Sequence, residues 1–538
     1  MLIIINSGHN ASGTLFAPRA ENGGNMSFFE SLLVLILVAI MLLQVSRRLK
    51  MPYPSMLALA GAAVALIPGT PVINIDPATA LALFIAPALL DAAFDFPLGT
   101  AKRFWLPLVA FAIGGVIVTA ASVAWVGWAF AGLPVAAAVV LGAIVAPPDA
   151  AAATAMLSTM SIPRETDTIL RGESLFNDAA ALLIFDAALA IQSAGHLNTE
   201  VGLHLTLAVP GGIIFGILAA RLIRRLTLSV SGTLGGNVLQ FAQTFLLWII
   251  ATRLHLSAVL AVVCCGMTLA RMSEARSSAR MRVQSYAVWS AAVFVLNVMA
   301  FLLMGMQARA ILSDMEPGHL GDAVTFAGLV VVTVIAVRLV VCIGFNRIHA
   351  YYAHRAGRPE PATIRQATLA GWCGMRGLVT LATAFALPAD FPQRDIVVLA
   401  AFAVVLATLV AQGLTLVPLI NWLGLDRTAE GIRELTKLRA HIARAGFMKL
   451  ENATGPEAEM LRNNFKLEKH GSLHDEGAAA LATYRRLALG AITAQREALE
   501  QLREDNKLTV DEYNLFLEEI DWRELSVLPE EERRIEEI

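Results

Sequence analysis

Glu173-Ser174-Leu175-Phe176-Asn177-Asp178 opens an otherwise apolar segment that runs on to Ala194. Two carboxylates and an amide fall there inside a stretch long enough to cross a bilayer. An ionisable side chain at the bilayer centre costs about 2.5–3.5 kcal/mol on insertion scales. A helix that carries the cost twice uses the charges. Glu173 and Asn177 stand four apart and share a helix face, and Asp178 lies about 100° further round. The pattern suits a buried site that binds and releases small cations.

The rest of the chain fits that setting. Of 538 residues 57% are hydrophobic and 16% charged, with a mean hydropathy of +0.64. Those values exclude an ordinary soluble protein and indicate a polytopic membrane protein. Cys264, Cys265, Cys342 and Cys373 all fall in apolar runs and match no zinc spacing, so they read as small packing residues. The net charge of -2 says little, because the charges are sorted by location. Residues 1–27 read as a leader outside the first span, not a signal peptide, since the run Leu2–Ile5 is short and no basic region precedes it. Met1 and Met26 both remain open as the start.

Apolar segments of roughly bilayer-spanning length fall near 28–45, 53–68, 79–95, 104–130, 134–159, 172–194, 203–220, 236–252, 257–270, 286–308, 322–345, 366–388 and 395–420. That predicts thirteen transmembrane helices in a domain covering 28–424. Alternate loops, from Arg47, Arg48 and Lys50 through to Arg347, Arg355, Arg358 and Arg365, hold eighteen basic residues. The opposite side holds Arg19, Arg253, Arg309 and Arg394. Positive loops stay cytoplasmic, so the N-terminus is expected outside and the C-terminus inside the cytoplasmic (inner) membrane. Residues 425–538 then form a charged, helical cytoplasmic tail. In it Thr509-Val510-Asp511-Glu512 reads as a capping box, and the end from Pro529 is an acidic run. No nucleotide loop, metal motif or basic patch for nucleic acid is present in the tail, which suggests a role in assembly or regulation.

Two segments are interrupted. Ala146-Pro147-Pro148-Asp149 breaks the fifth, where two prolines remove backbone donors, and Gly371-Trp372-Cys373-Gly374-Met375-Arg376-Gly377 breaks the twelfth. Non-helical backbone at membrane depth survives only where protein or a watery cavity satisfies it. Interrupted helices at matching positions in two halves point to a transporter site. The spacing of seven segments predicts two inverted repeats, 1–6 and 8–13, with discontinuous crossing helices.

Together the stretches Gly142–Ala150, Gly172–Asp178 and Gly371–Gly377 resemble the monovalent cation:proton antiporter-1 family, which contains the sodium/proton exchangers, and its bacterial branch in particular. The resemblance covers about residues 28–424 and implies exchange of Na+, or Li+ or K+, for H+. It also implies a homodimer, an electroneutral cycle through the Asn-Asp pair, and a buried ion pair between Glu173 and Arg338. One departure stands out. The position before Asp149, usually a Thr or similar residue in the family, is Pro148, which removes a hydroxyl ligand and leaves a backbone carbonyl.

The residues themselves support a division of roles. Asp178 is the expected carrier of cation and proton, with Asn177 a neutral neighbour that leaves one titrating carboxylate or pins the broken helix. Asp149, the Pro148 carbonyl and Ser174 offer further oxygen ligands, which hard cations prefer; Ser174 can equally be a helix N-terminal residue without a role, and Asp149 a helix cap. Glu173 is expected to be structural, and Arg376 to place positive charge near the crossing. Asp186 lines a funnel or pairs with an Arg. Asp91, Asp95, His204 and His255 read as interfacial. No cofactor is expected beyond the transported ions.

Rival classes fare worse. A zinc protease needs paired histidines at depth and a serine hydrolase a buried histidine. A channel needs rings of ligands around an axis. The same fold carrying K+ or another ion stays open, because the hydroxyl before Asp149 is missing.

Overall fold

The computed structural model describes residues 36–533, apart from 47, 49–51, 67–75, 97–98, 100–101, 103, 158–159, 161, 195–198, 228–233, 274–278, 314–319, 356–361, 472–474 and 506. The expected leader 1–27, the beginning of the first apolar segment and the end of the acidic run, 534–538, lie outside the described residues. So do Arg47, Lys50, Arg103, Arg276 and Arg358 of the basic loops.

Helix is found in every apolar segment. Its first members are α1 (Ile36–Ser46), α2 (Tyr53–Ala65), α3 (Pro77–Asp95) and α4 (Trp105–Ala131). The fifth segment is split into α5a (Val135–Val145) and α5b (Ala150–Leu157). There follow α6 (Arg164–Ala194), α7 (Thr199–Thr227), α8 (Leu234–Arg253), α9 (Ala258–Ser273), α10 (Ala279–Met306) and α11 (Leu320–Arg355). The twelfth segment is again split, into α12a (Ile364–Trp372) and α12b (Leu378–Phe385), and α13 (Arg394–Leu423) closes the series. Among the described residues seven helices are long and apolar enough to cross a membrane on their own. Breaks and prolines shorten the others, so that α2 has 13 residues and α5a has 11.

Two bundles result. Helices α4, α5a, α6, α11, α12a, α12b and α13 pack on one another, while α3, α7, α8 and α9 form a second group that α10 joins through α3, with α2 packed between α10 and α13. The fourth to sixth segments of the first expected repeat thus share a bundle with the eleventh to thirteenth of the second. Small residues allow close approach between α2 and α10, where a Cβ on Gly61 would strike the Leu302 carbonyl and one on Gly305 the Ala58 carbonyl. The bundles meet along α6, which touches α9, and where the Ser55 hydroxyl donates to the Leu409 carbonyl at 2.5 Å. Leu409 lies in a π-helical turn of α13 at Thr408–Gln412. Outward-facing Ile214, Leu218 and Leu222 of α7 are exposed at 58%, 56% and 58%, an apolar stripe that fits lipid and not water.

Helix α6 begins earlier than the hydropathy pattern predicts. Its first two turns carry Glu165 and Asp167, which favour the positive end of the helix dipole, and follow Pro163. Ser174 is therefore interior to a 31-residue helix, which corrects its reading as a helix N-terminal residue. Beyond α13 the tail forms α14 (Thr428–Lys449), α15 (Pro456–Gly471), α16 (Asp475–Glu504), α17 (Val510–Val527) and a last turn, α18 (Glu530–Arg533). Thr509 and Glu512 close the capping box at the start of α17. Arg496 of α16 bridges to Asp521 and Glu524 of α17, holding the two together over Ile492, Leu499 and Ile520.

Candidate ion-binding site

The two interrupted segments cross at their breaks. Residues Ala146–Asp149 separate α5a from α5b, and Cys373–Gly377 separate α12a from α12b. The Asp149 backbone N–H donates to the Met375 carbonyl at 2.7 Å, so each break supplies what the other lacks. Gly377 has no side chain for a reason of space. A Cβ there would collide with the Asp149 carboxylate. Gly377→Ala is expected to cost about 1–3 kcal/mol in overpacking, read as a lowered unfolding temperature in detergent, with transport slowed. Unchanged melting and transport would remove Gly377 from the crossing.

Arg376 stitches the crossing together in a way its charge alone does not suggest. Its side chain is entirely buried. Nε donates to the Val145 carbonyl at 3.0 Å, Nη2 to the Ala146 carbonyl at 3.3 Å and Nη1 to the Gly374 carbonyl. Val145 and Ala146 end α5a, where carbonyls lack helical partners and the dipole is negative. The guanidinium thus caps a helix end at the crossing. Its own N–H donates to the Thr408 hydroxyl at 3.0 Å, on the π-helical turn of α13.

Helix α6 lays its polar residues against this crossing. Asn177, fully buried, donates through Nδ2 to the Pro148 carbonyl at 2.7 Å. One lone pair of that carbonyl stays available, as does Asn177 Oδ1, which has no partner among the described residues. Glu173 and Arg338 of α11 form a bidentate pair, with Nη2 to Oε2 at 2.6 Å and Nη1 on Oε1, and are 1% and 3% exposed. The Arg338 guanidinium also lies 5.8 Å from the centre of the Phe111 ring, which a π-helical turn of α4 presents.

Asp178 differs from Glu173 in one decisive respect. It is 7% exposed, yet it has no hydrogen bond or ion pair among the described residues. A cavity of about 20 Å³, room for one water-sized particle, reaches the crossing from the start of α6 and is lined by Asp167, Arg171, Ser174, Pro148, Asp149 and Glu173. Asp167 holds Arg171 at 2.9 Å at its mouth. On the far side of Pro147 the side chains of Ile144, Leu182, Phe185 and Val379 close up and leave no volume for water.

The structure therefore brings Asp149, Pro148, Asn177, Asp178, Glu173 and Arg338 to one place, with Ser174 on the cavity wall and Arg376 behind. Sequence reasoning passed over Thr408 and Asp167. A hydroxyl inside an apolar run was the one signal for Thr408, and Asp167 stood outside the apolar segment. Asp186 projects from α6 without an ion-pair partner among the described residues. The four cysteines are unpaired, three of them buried.

Residues 33–422 match the model of the sodium/hydrogen exchanger transmembrane family. An uncharacterised sodium/proton exchanger of Mycobacterium tuberculosis is 29% identical over 481 residues, covering 84% of this chain and 88% of its own length. A sodium, potassium, lithium and rubidium/proton antiporter of Bacillus pumilus is 27% identical, over 69% of this chain and 58% of its own. The solved sodium/proton antiporter MjNhaP1 of Methanocaldococcus jannaschii superposes on 74% of this chain and 99% of its own, with a TM-score of 0.57 at 17% identity, a likeness of fold.

Proposed function

The chain belongs to the sodium/hydrogen exchanger family of membrane antiporters, and from that premise we propose that Asp178 carries one monovalent cation in one direction and one proton in the other. The observation that carries this reading is a buried carboxylate with no hydrogen bond or ion pair among the described residues, set against two crossing broken helices. A structural carboxylate looks like Glu173, saturated by its arginine. A carboxylate that must exchange ligands needs its oxygens free.

The cation loads onto Asp178 with Asp149, the Pro148 carbonyl and Ser174 as further oxygen donors. A proton loads onto Asp178 alone. Asn177 is neutral and leaves Asp178 as the one titrating carboxylate of the pair, so both loaded forms carry the same charge and the cycle is electroneutral. Glu173 and Arg338 fix α6 against α11, and Arg376 fixes the crossing. The bundle that holds the crossing moves against the other, exposing Asp178 to each side in turn. Only loaded forms cross, because desolvating a bare carboxylate in the closed state costs too much. No cofactor enters; the ion gradients drive the cycle. Na+ is the cation favoured by the family, and Li+ and K+ remain candidates because Pro148 brings no hydroxyl. The basic loops and the tail face the cytoplasm across the inner membrane, and two copies associate through the second bundle.

Purified protein in proteoliposomes with an imposed inward pH gradient tests this. Na+, Li+ and K+ are added in turn, with the voltage clamped by valinomycin and potassium for the first two and then released. Cation-triggered proton movement indifferent to the clamp is the expected result. Voltage-dependent exchange would overturn the electroneutral cycle, and no cation-dependent proton movement would overturn the assignment of cargo.

A further inference from the structure

Besides Glu173 and Asp178, helix α6 carries Asp167 before them and Asp186 after them. Taking 1.5 Å per residue, Asp167 lies about 16 Å before Asp178 and Asp186 about 12 Å after it. At 100° per residue Asp167 stands within about 20° of the Asp178 face and Asp186 about 80° round from it. The first member marks the mouth of the cavity that reaches Asp149. Asp186 directly follows Phe185 of the apolar plug, which also contains Leu182, Ile144 and Val379.

The surroundings of Asp186 give it no structural task. Its side chain is exposed and has no hydrogen bond or ion pair among the described residues, whereas Asp167 is held by Arg171. An unpaired carboxylate at that depth requires contact with water, and ionisable residues inside membrane segments face cavities or pathways. We propose that Asp186 is the cation-capturing residue of the access route that is closed in this structure. Resting on the antiport reading above, it draws a hydrated monovalent cation to the outer side of the Phe185 plug and hands it to Asp178 when the plug parts. Asp167 stands at the corresponding place on the open route, so the helix presents an acidic group at each end of the path.

The test uses membrane vesicles of both orientations carrying full-length protein, with Na+ titrated on one face at a time while proton movement is followed. Asp186→Asn is expected to raise the apparent KM for Na+ by about ten-fold on the face where α6 ends, the low end of electrostatic focusing. The KM on the face where α6 begins, the maximal rate and the unfolding temperature should all stay as in the wild type, and Asp186→Glu should restore the lost affinity. An equal change on both faces, a lowered maximal rate with unchanged KM, or no change at all would overturn the inference. Wild-type vesicles without exchange would overturn the antiport reading itself, and Asp178→Asn, silent from both faces, separates that failure from this one.

Discussion

Asp178→Asn abolishes cation-triggered proton movement and leaves the protein inserted and folded. The amide keeps the size of the carboxyl group, and Asp178 has no hydrogen bond or ion pair among the described residues that the change would orphan. Stability therefore moves by little, within the range of substitutions that neither open a cavity nor strand a polar partner. Transport falls to background because an amide binds no proton in this range of pH and offers a cation no formal charge. Flux in proteoliposomes, read beside the unfolding temperature and the elution profile in detergent, checks both halves. Retained exchange would sink the assignment of Asp178, and loss of the folded protein would give it the structural role assigned to Glu173.

Glu173 and Arg338 should behave the opposite way. Arg338→Met leaves a carboxylate, 1% exposed in the wild type, without its bidentate partner. Breaking a buried pair on one side costs about 3–5 kcal/mol, a large share of the stability of most domains. Replacing both partners, Glu173→Met with Arg338→Met, removes the stranded charge and should recover most of that loss. Thermal unfolding of the two single variants and the double variant measures the coupling. Additive losses would mean that the two side chains contribute independently, against the bidentate geometry between them.

Much of this site was legible before any coordinates. Pro147 and Pro148 at membrane depth could only mean a broken helix, and Glu173, Asn177 and Asp178 had to face it because little else in the segment is polar. Asn177 donates to the Pro148 carbonyl across the break, which is compatible with both of its readings, the pin and the neutral neighbour of Asp178. Other features had no local signal. The carbonyls capped by Arg376 lie 231 and 230 residues away in the chain, and nothing in the periodicity of the twelfth segment names them. The regrouping of the helices into two bundles is equally a tertiary fact. The start of α6 was missed for a simpler reason, since a charged amphipathic turn ahead of an apolar run lowers the hydropathy that marks a span.

Between them, the Asp149 N–H on the Met375 carbonyl and the Arg376 guanidinium on the end of α5a rivet one break to the other. A rivet has a mechanical meaning. Neither half-helix pair can slide without shearing these buried bonds, so the crossing is a single stiff part. On the alternating-access reading proposed above, the compliance then lies elsewhere, along the seam where the Ser55 hydroxyl donates to the Leu409 carbonyl of the π-helical turn. On that same reading, the geometry around the ion is thereby kept the same at both ends of the stroke, and the work of moving is done by the joint and not by the ligands.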